Sequence, residues 1–270
     1  MSATYEHLTP SEGNLLERAR GGVFDTLAVA QRNLIGLKRT PQLLVFATIQ
    51  PVIFVLMFRY VFGGAIVIPG VEYVDFLMPG IFVQTSVFGA MGAAIGLAAD
   101  LKSGLLERFR SLPMSRSAVL GGRTLADLSR NTFVAALMAA VGFAVGFRIH
   151  TNAAAFIAGM LLVLLFGYTL CWVFAALGLA VGDPETAQAA AFPVMAPLVF
   201  ASSAFVPVAS MPGWLQTFAE HQPVSVTASA VRGLAIGGET ATYVWQSLAW
   251  CAAILIVSSV LAVRKYRQAA

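Results

Sequence analysis

The residues of this chain that could do chemistry are sparse, and their spacing excludes more than it permits. None of the three lysines, Lys38, Lys102 and Lys265, closes a G-x-x-x-x-G-K-[ST] loop, so no phosphate-cradling turn is predicted and the chain is not expected to bind ATP itself. His7, His150 and His221 are far apart in tails or outer loops and read as ordinary solvated imidazoles. Cys171 and Cys251 both fall inside apolar stretches, where a thiol is a small packing residue rather than half of an extracellular disulfide or a zinc ligand. No series of Asp, Glu or His runs through the apolar stretches, as a carrier driven by protons or sodium usually needs. Asp127, with Arg123 four residues before it and Arg130 three after, reads as a local ion pair. No catalytic residue and no metal site are expected.

One polar segment stands out, Asp100 to Arg123, reading DLKSGLLERFRSLPMSRSAVLGGR. Leu101, Leu105, Phe109 and Leu112 fall on one helical face, Ser103, Glu107 and Arg110 on the other, and Pro113 ends the pattern. The spacing predicts a short amphipathic helix over Leu101–Leu112, parallel to a membrane, with its polar face offered to the cytoplasm. A carboxylate at Glu107 can take charge-assisted hydrogen bonds from a basic or backbone donor, and Arg108 and Arg110 can pair with acids or lipid headgroups. A solvated connecting helix carrying ordinary cytoplasmic positive charge is the alternative reading.

The elements that would hold this segment follow from composition. Of 270 residues, 58% are hydrophobic and only 11% charged, against about 25% charged in an average soluble chain. That excludes a soluble globule, a disordered chain and a disulfide scaffold, and leaves an integral membrane protein. Net charge is +4, but the basic residues flank apolar runs instead of forming one patch, so no nucleic acid is expected. No cleaved signal peptide is expected either, because acidic and basic residues alternate before the first long apolar run.

Six apolar runs approach the roughly 20 helical residues needed to cross a bilayer. They lie at about 43–62, 76–99, 128–147, 153–181, 187–206 and 243–263. Arg18, Arg20, Arg32, Lys38, Arg39, Lys102, Arg108, Arg110, Arg116, Arg123, Arg130, Arg264, Lys265 and Arg267 fall on one side of this scheme, and Arg59, Arg148 and Arg232 on the other. By the positive-inside rule both termini are expected in the cytoplasm. The predicted fold is an all-α integral membrane bundle of six transmembrane helices, N-in and C-in. Val23, Leu27, Ala30, Leu34 and Leu37 stack on one face opposite Asp25, Arg32 and Arg39, which predicts an N-terminal interfacial helix. Between about 202 and 242, Pro207, Pro212 and Pro223 interrupt short apolar pieces, which predicts an outer re-entrant pair of short helices with Trp214 at headgroup level. Residues 1–21 are expected to be a disordered cytoplasmic tail and 22–270 a single transmembrane domain.

LLERFRSLPMSRSAVLGGR resembles the coupling segment of ABC-2 type transporter permeases, with its Glu-Arg pair, small residue with Pro, Ser-Arg and Gly-Arg. Phe205-Val206-Pro207, Met211-Pro212-Gly213-Trp214-Leu215, His221-Gln222-Pro223-Val224-Ser225 and Val231-Arg232-Gly233-Leu234 are similar to that family's signature region before its last span. The resemblance covers everything from about residue 22 onward and is nearest to the daunorubicin-resistance type of drug exporter permease. It implies a half-transporter in a bacterial plasma membrane: two permease copies, or one with a paralogue, form the pore, and two separate ABC ATPase subunits beneath bind the ATP and magnesium. By the same resemblance Leu105, Glu107, Arg108, Phe109, Arg110, Pro113, Ser115 and Arg116 would couple to the ATPase, with Asp183 as a second contact. For Asp183 the alternative is plain helix-start chemistry, Asp as N-cap with Pro184 at the first position. Gln84, Thr85, Phe88 and Met91 on the second span and Met195, Phe200 and Phe205 on the fifth would line the path, with helix packing as the alternative. Pro207, Trp214, Pro223 and Arg232 would form an outer gate, Arg232 having Glu220 and Glu239 as available acids. The implied function is ATP-driven export of an amphipathic drug or lipid-like molecule among membrane lipids; an ATP-independent scaffold or ion-coupled carrier of the same form is the alternative.

Overall fold

The structure, a computed structural model, describes residues 41–64, 66, 68–105 and 116–269. The expected tail 1–21, the interfacial helix over Val23–Leu37 and most of the coupling segment lie outside the described residues. Within them the chain is helical, with no strand. The elements are α1 (Pro41–Leu56), continued by a π-helical stretch Met57–Phe62, α2 (Tyr73–Lys102), α3 (Arg116–Ala144), α4 (Ala153–Val181), α5 (Pro184–Phe200), α6 (Gly213–His221), α7 (Pro223–Ile236) and α8 (Ala241–Ala269).

Three of these helices are long and apolar enough to cross a membrane: Tyr73–Lys102, Ala153–Val181 and Ala241–Tyr266. The expected fourth run coincides with α4, whose ends have local causes. Asn152 caps its start by accepting from Ala155 N at 2.8 Å, and Gly182, at φ +76°, ends it in the left-handed conformation that glycine adopts without strain. The third run differs. The helix begins at Arg116, twelve residues before the apolar pattern, and stops at Ala144; its polar first turns carry Arg123, which hydropathy leaves out but Asp100 of α2 receives, and Asp127, which pairs with Arg130 of the same helix.

The fifth run also differs, because a helix expected over 187–206 ends at Phe200 after seventeen residues, or about 25 Å. The chain then turns through 201–206 in buried, non-helical backbone. Such backbone persists where protein partners replace water, and here the next helix supplies them. Gln222 Nε2 donates to Leu198 O at 3.0 Å and Ser225 Oγ accepts from Ser203 N at 2.9 Å.

α2 is the centre of the bundle. It packs against α1, α3, α4, α5 and α7, while α8 lies outside against α4 and α7; 67% of the most apolar window of α2 is buried, against 22% in α8. Close approach depends on glycine at Gly80 and Gly178, where a methyl group would overlap the backbone of Ala204 and Ala94 respectively. The helices alternate in direction, which collects two ends. At the basic end, Leu97, Leu179 and Tyr266 pack together with Leu101, Trp172 and Val263 around them. At the opposite end Asp75, Arg148, His150 and Arg232 gather.

Candidate functional site

Between α1, α2, α3 and α4 lies a cavity of about 190 Å³ that opens beside exposed Gln50. Its walls include Gln50 and Pro51 of α1, Gln84, Thr85, Phe88 and Met91 of α2, Arg130, Asn131 and Val134 of α3, and Val163 of α4. The four residues of the second span assigned to a path by the sequence therefore line one space. The three of the fifth run do not. Met195 and Phe205 are buried in helix packing: Phe205 stacks on Phe58 with ring centroids 4.5 Å apart and planes within 10°, and Tyr73 donates to its carbonyl at 3.0 Å. Phe200 is 49% exposed and flanks an outer cleft of about 720 Å³ with Trp214 and Phe218.

The polar lining of the inner cavity is the unusual part. Ser86 donates to Val163 O at 3.1 Å and Arg130 Nη2 to Gly89 O at 2.6 Å, while Arg130 also pairs with Asp127 at 3.3 Å. Gln84 Oε1, Thr85 Oγ1 and Asn131 Nδ2 are buried with no protein partner, as is Asp127 Oδ2. A buried polar atom left unpaired costs about 1–3 kcal/mol, so three around one cavity mark a place where something else completes the bonding.

Sequence reasoning missed Gln50, Arg130 and Asn131 as parts of this site. Asp127, Arg130, Asn131 and Val134 recur at the i, i+3, i+4, i+7 spacing of one helical face, a signal present in the sequence. It was hidden because Arg130 counts toward the positive side of the topology. Arg123 is not shared with Asp127: it pairs with Asp100 across the α2–α3 junction.

At the basic end Asp183 performs the helix-start role. It accepts from Thr186 N at 3.0 Å, with Pro184 at the first helical position. It also binds Lys102 Nζ at 2.7 Å. That hydrogen bond and the Thr186 donors hold the Asp183 carboxyl down at about 2, and the same contact raises the Lys102 amine. The expected helix over Leu101–Leu112 cannot begin where the hydrophobic pattern begins, because Leu101 and Lys102 complete α2 and the chain breaks at Ser103–Gly104, Gly104 being at φ +68°. Leu105 is half-buried just beyond the break. Glu107, Arg108, Phe109, Arg110, Pro113 and Ser115 lie outside the described residues, and Arg116 opens α3.

At the opposite end Pro207 precedes a single 3-10 turn, Val208–Ser210, Trp214 is 79% exposed on α6, and Pro223 is the first residue of α7. Arg232 does not pair with Glu220 or Glu239. Its Nη2 donates to Ser203 O at 2.8 Å and its Nε to Phe76 O at 3.2 Å, and the guanidinium sits 3.7 Å over the Phe76 ring. Carbonyls and a ring face meet the planar cation where a carboxylate was expected. His150 is likewise not a free imidazole: its Nε2 lies 2.6 Å from Asp75 Oδ2, and Asp75 Oδ1 accepts from Arg148 N at 2.8 Å.

Comparison with known proteins bears on what this arrangement serves. Residues 25–236 match the family model described as ABC-2 type transporter. The daunorubicin resistance ABC transporter permease protein DrrB1 of Streptomyces coeruleorubidus is 34% identical over 98% of this chain and 96% of its own length. The probable doxorubicin resistance ABC transporter permease protein DrrC of Mycobacterium tuberculosis is 29% identical over 93% of this chain and 91% of its own. The putative transport permease ycf38 of Porphyra purpurea is 28% identical over 76% and 72%.

Proposed function

From the premise that this chain belongs to the ABC-2 type transporter family, we propose that it is the membrane-spanning permease subunit of an exporter that moves an amphipathic drug or lipid-like molecule outward across a bacterial plasma membrane. The observation that carries this reading is the near full-length similarity to permeases named for daunorubicin and doxorubicin resistance. The chain crosses the bilayer six times, with α5 completed by the buried turn 201–206, and keeps both termini in the cytoplasm. Its basic end then faces two separate ABC ATPase subunits, which bind ATP and magnesium and hydrolyse the nucleotide. A second copy, or a paralogue, completes the pore.

The work of hydrolysis enters through residues 105–116, with Glu107 as the principal contact and Arg108, Arg110 and Arg116 beside it. Gln84, Thr85, Phe88 and Met91 meet the substrate, and Arg232, Trp214, Pro207 and Pro223 shape its exit. The test is ATP-dependent uptake of daunorubicin into inside-out vesicles holding the chain and an ABC ATPase, beside pull-down of that ATPase. Glu107→Lys, at matched expression, should lower both together. Uptake that follows a proton gradient with no ATPase present would refute the proposal.

A further inference from the structure

The inner cavity is lined by four helices of a single chain and opens beside exposed Gln50, so one chain supplies every lining group named here. Three atoms define what that must be. Gln84 Oε1 accepts and so calls for a donor; Asn131 Nδ2 donates and calls for an acceptor; Thr85 Oγ1 can do either. The side chains that carry them are 2%, 6% and 8% exposed. Formal charge in the lining is balanced, because Arg130 is held by Asp127 and by Gly89 O. Phe88, Met91 and Val134 supply an apolar wall.

An apolar cavity of about 150 Å³ is large enough to hold a benzene ring, so the volume of about 190 Å³ here takes one ring and a polar substituent. Water alone fits the polar edge but leaves the apolar wall unsolvated, whereas a charged headgroup would find no free counter-charge. We propose that this cavity is an intrachain binding site for a neutral, single-ring group bearing both a hydrogen-bond donor and an acceptor, such as an aromatic amide. That group would be one end of the transported molecule. This deepens the transport reading and rests on it for the word "transported", while the binding site itself stands on the cavity.

The probe is 4-fluorobenzamide, followed by fluorine NMR on the full chain in lipid nanodiscs, with fluorobenzene as the ring without hydrogen bonds and empty nanodiscs as the blank. The expected result is saturable amide binding, tighter than that of fluorobenzene. Gln84→Leu and Asn131→Leu should each weaken it by about three- to ten-fold, the effect of one lost hydrogen bond, and leave fluorobenzene unaffected. Thr85→Val, which keeps the side-chain shape, should weaken the amide by about threefold in a chain of unchanged monodispersity, so that misfolding is not mistaken for a lost contact. Trp245→Ala, on the exposed face of α8 away from the cavity, should leave amide binding unchanged. Amide binding that is no tighter than fluorobenzene, or equal in parent, Gln84→Leu and Thr85→Val, overturns the site. Daunorubicin uptake separates the two readings: variant-sensitive amide binding without ATP-driven uptake keeps the site and removes the transport role. ATP-driven uptake with variant-insensitive binding does the reverse.

Discussion

Replacing Arg232 tests whether a cation can serve as a structural clasp without a carboxylate. In the native chain the guanidinium joins α7 to α2 through Phe76 O and the Phe76 ring, and to the turn after α5 through Ser203 O. Arg232→Ala removes all three contacts. Phe76 O lies within α2 and keeps a helical partner, but Ser203 O loses its guanidinium donor, which costs about 1–3 kcal/mol in a buried setting. The cation–ring contact adds about 0.5–2 kcal/mol, and relief of the partial desolvation of the charge offsets some of the sum. The net is about 2–4 kcal/mol, or roughly 5–15 °C in apparent melting temperature by the scaling for chains of this size. Arg232→Lys keeps one donor for Ser203 O but loses the planar stack, so it should fall about midway. The assay is thermal melting of detergent-solubilised protein followed by size-exclusion chromatography, with daunorubicin uptake alongside. If both variants melt and transport as the parent does, the guanidinium is only reaching toward the interface and the clasp does not exist.

Gly178→Ala places a methyl group against the backbone carbonyl of Ala94, which cannot move aside, so it should lower stability by about 1–3 kcal/mol in the same melting assay. Gly142→Ala meets only the end of the flexible Met78 side chain, which can shift, so its loss should be clearly smaller. For topology, single cysteines at Ser115 and Gln268 should be shielded from impermeant thiol reagents in intact cells, and one at exposed Glu239 should react; labelling at Ser115 would overturn the proposed orientation. Asp183→Asn keeps a capping side chain but loses the charge contact with Lys102, so transport should change by less than about twofold, while Asp183→Ala, which loses both, should do more harm. Because the Asp183 carboxyl is lowered to about 2, the contact is fully formed above the ordinary carboxylate range and is lost only as pH falls toward 2. Transport measured between pH 6 and 8 should therefore owe no pH dependence to it.

Much of the scaffold was legible because the bilayer imposes a length and apolar runs reveal it. α4 matched its expected bounds, and Gly182 and Asp183 announced its end and the start of α5. The errors arose where helix and hydropathy part company. α3 runs twelve residues into polar sequence because Arg123 finds Asp100 on the neighbouring helix, a partner twenty-three positions away that no local window contains. α5 stops six residues early because Gln222 and Ser225 can take over the hydrogen bonding of a turn, and hydropathy is blind to that exchange. In the cavity, the α2 half was legible as polar residues in an apolar run. The α3 half was not, since Arg130 had already been assigned to the membrane surface, although its face was written in the spacing of Asp127, Arg130 and Asn131.

The ion pairs of the basic end determine how any push on the segment between α2 and α3 is distributed. That segment joins α2 to α3 covalently, so a displacement of residues 105–115 reaches both helices at once. Asp100 and Arg123 then tie the last turns of α2 to the early turns of α3, so the two cannot separate there without breaking a part-buried charge pair. The Lys102–Asp183 contact extends the link to the start of α5, but both groups are exposed, and exposed pairs contribute little. The firmer route to the rest of the bundle is apolar, through Leu97, Leu179 and Tyr266 with Leu101 beside them, which joins the ends of α2, α4 and α8. A load applied at 105–115 is thus carried first by α2 and α3. Those helices supply Gln84, Thr85 and Asn131 to the cavity between them, so a shift in their relative register must change the cavity before it reaches the outer end.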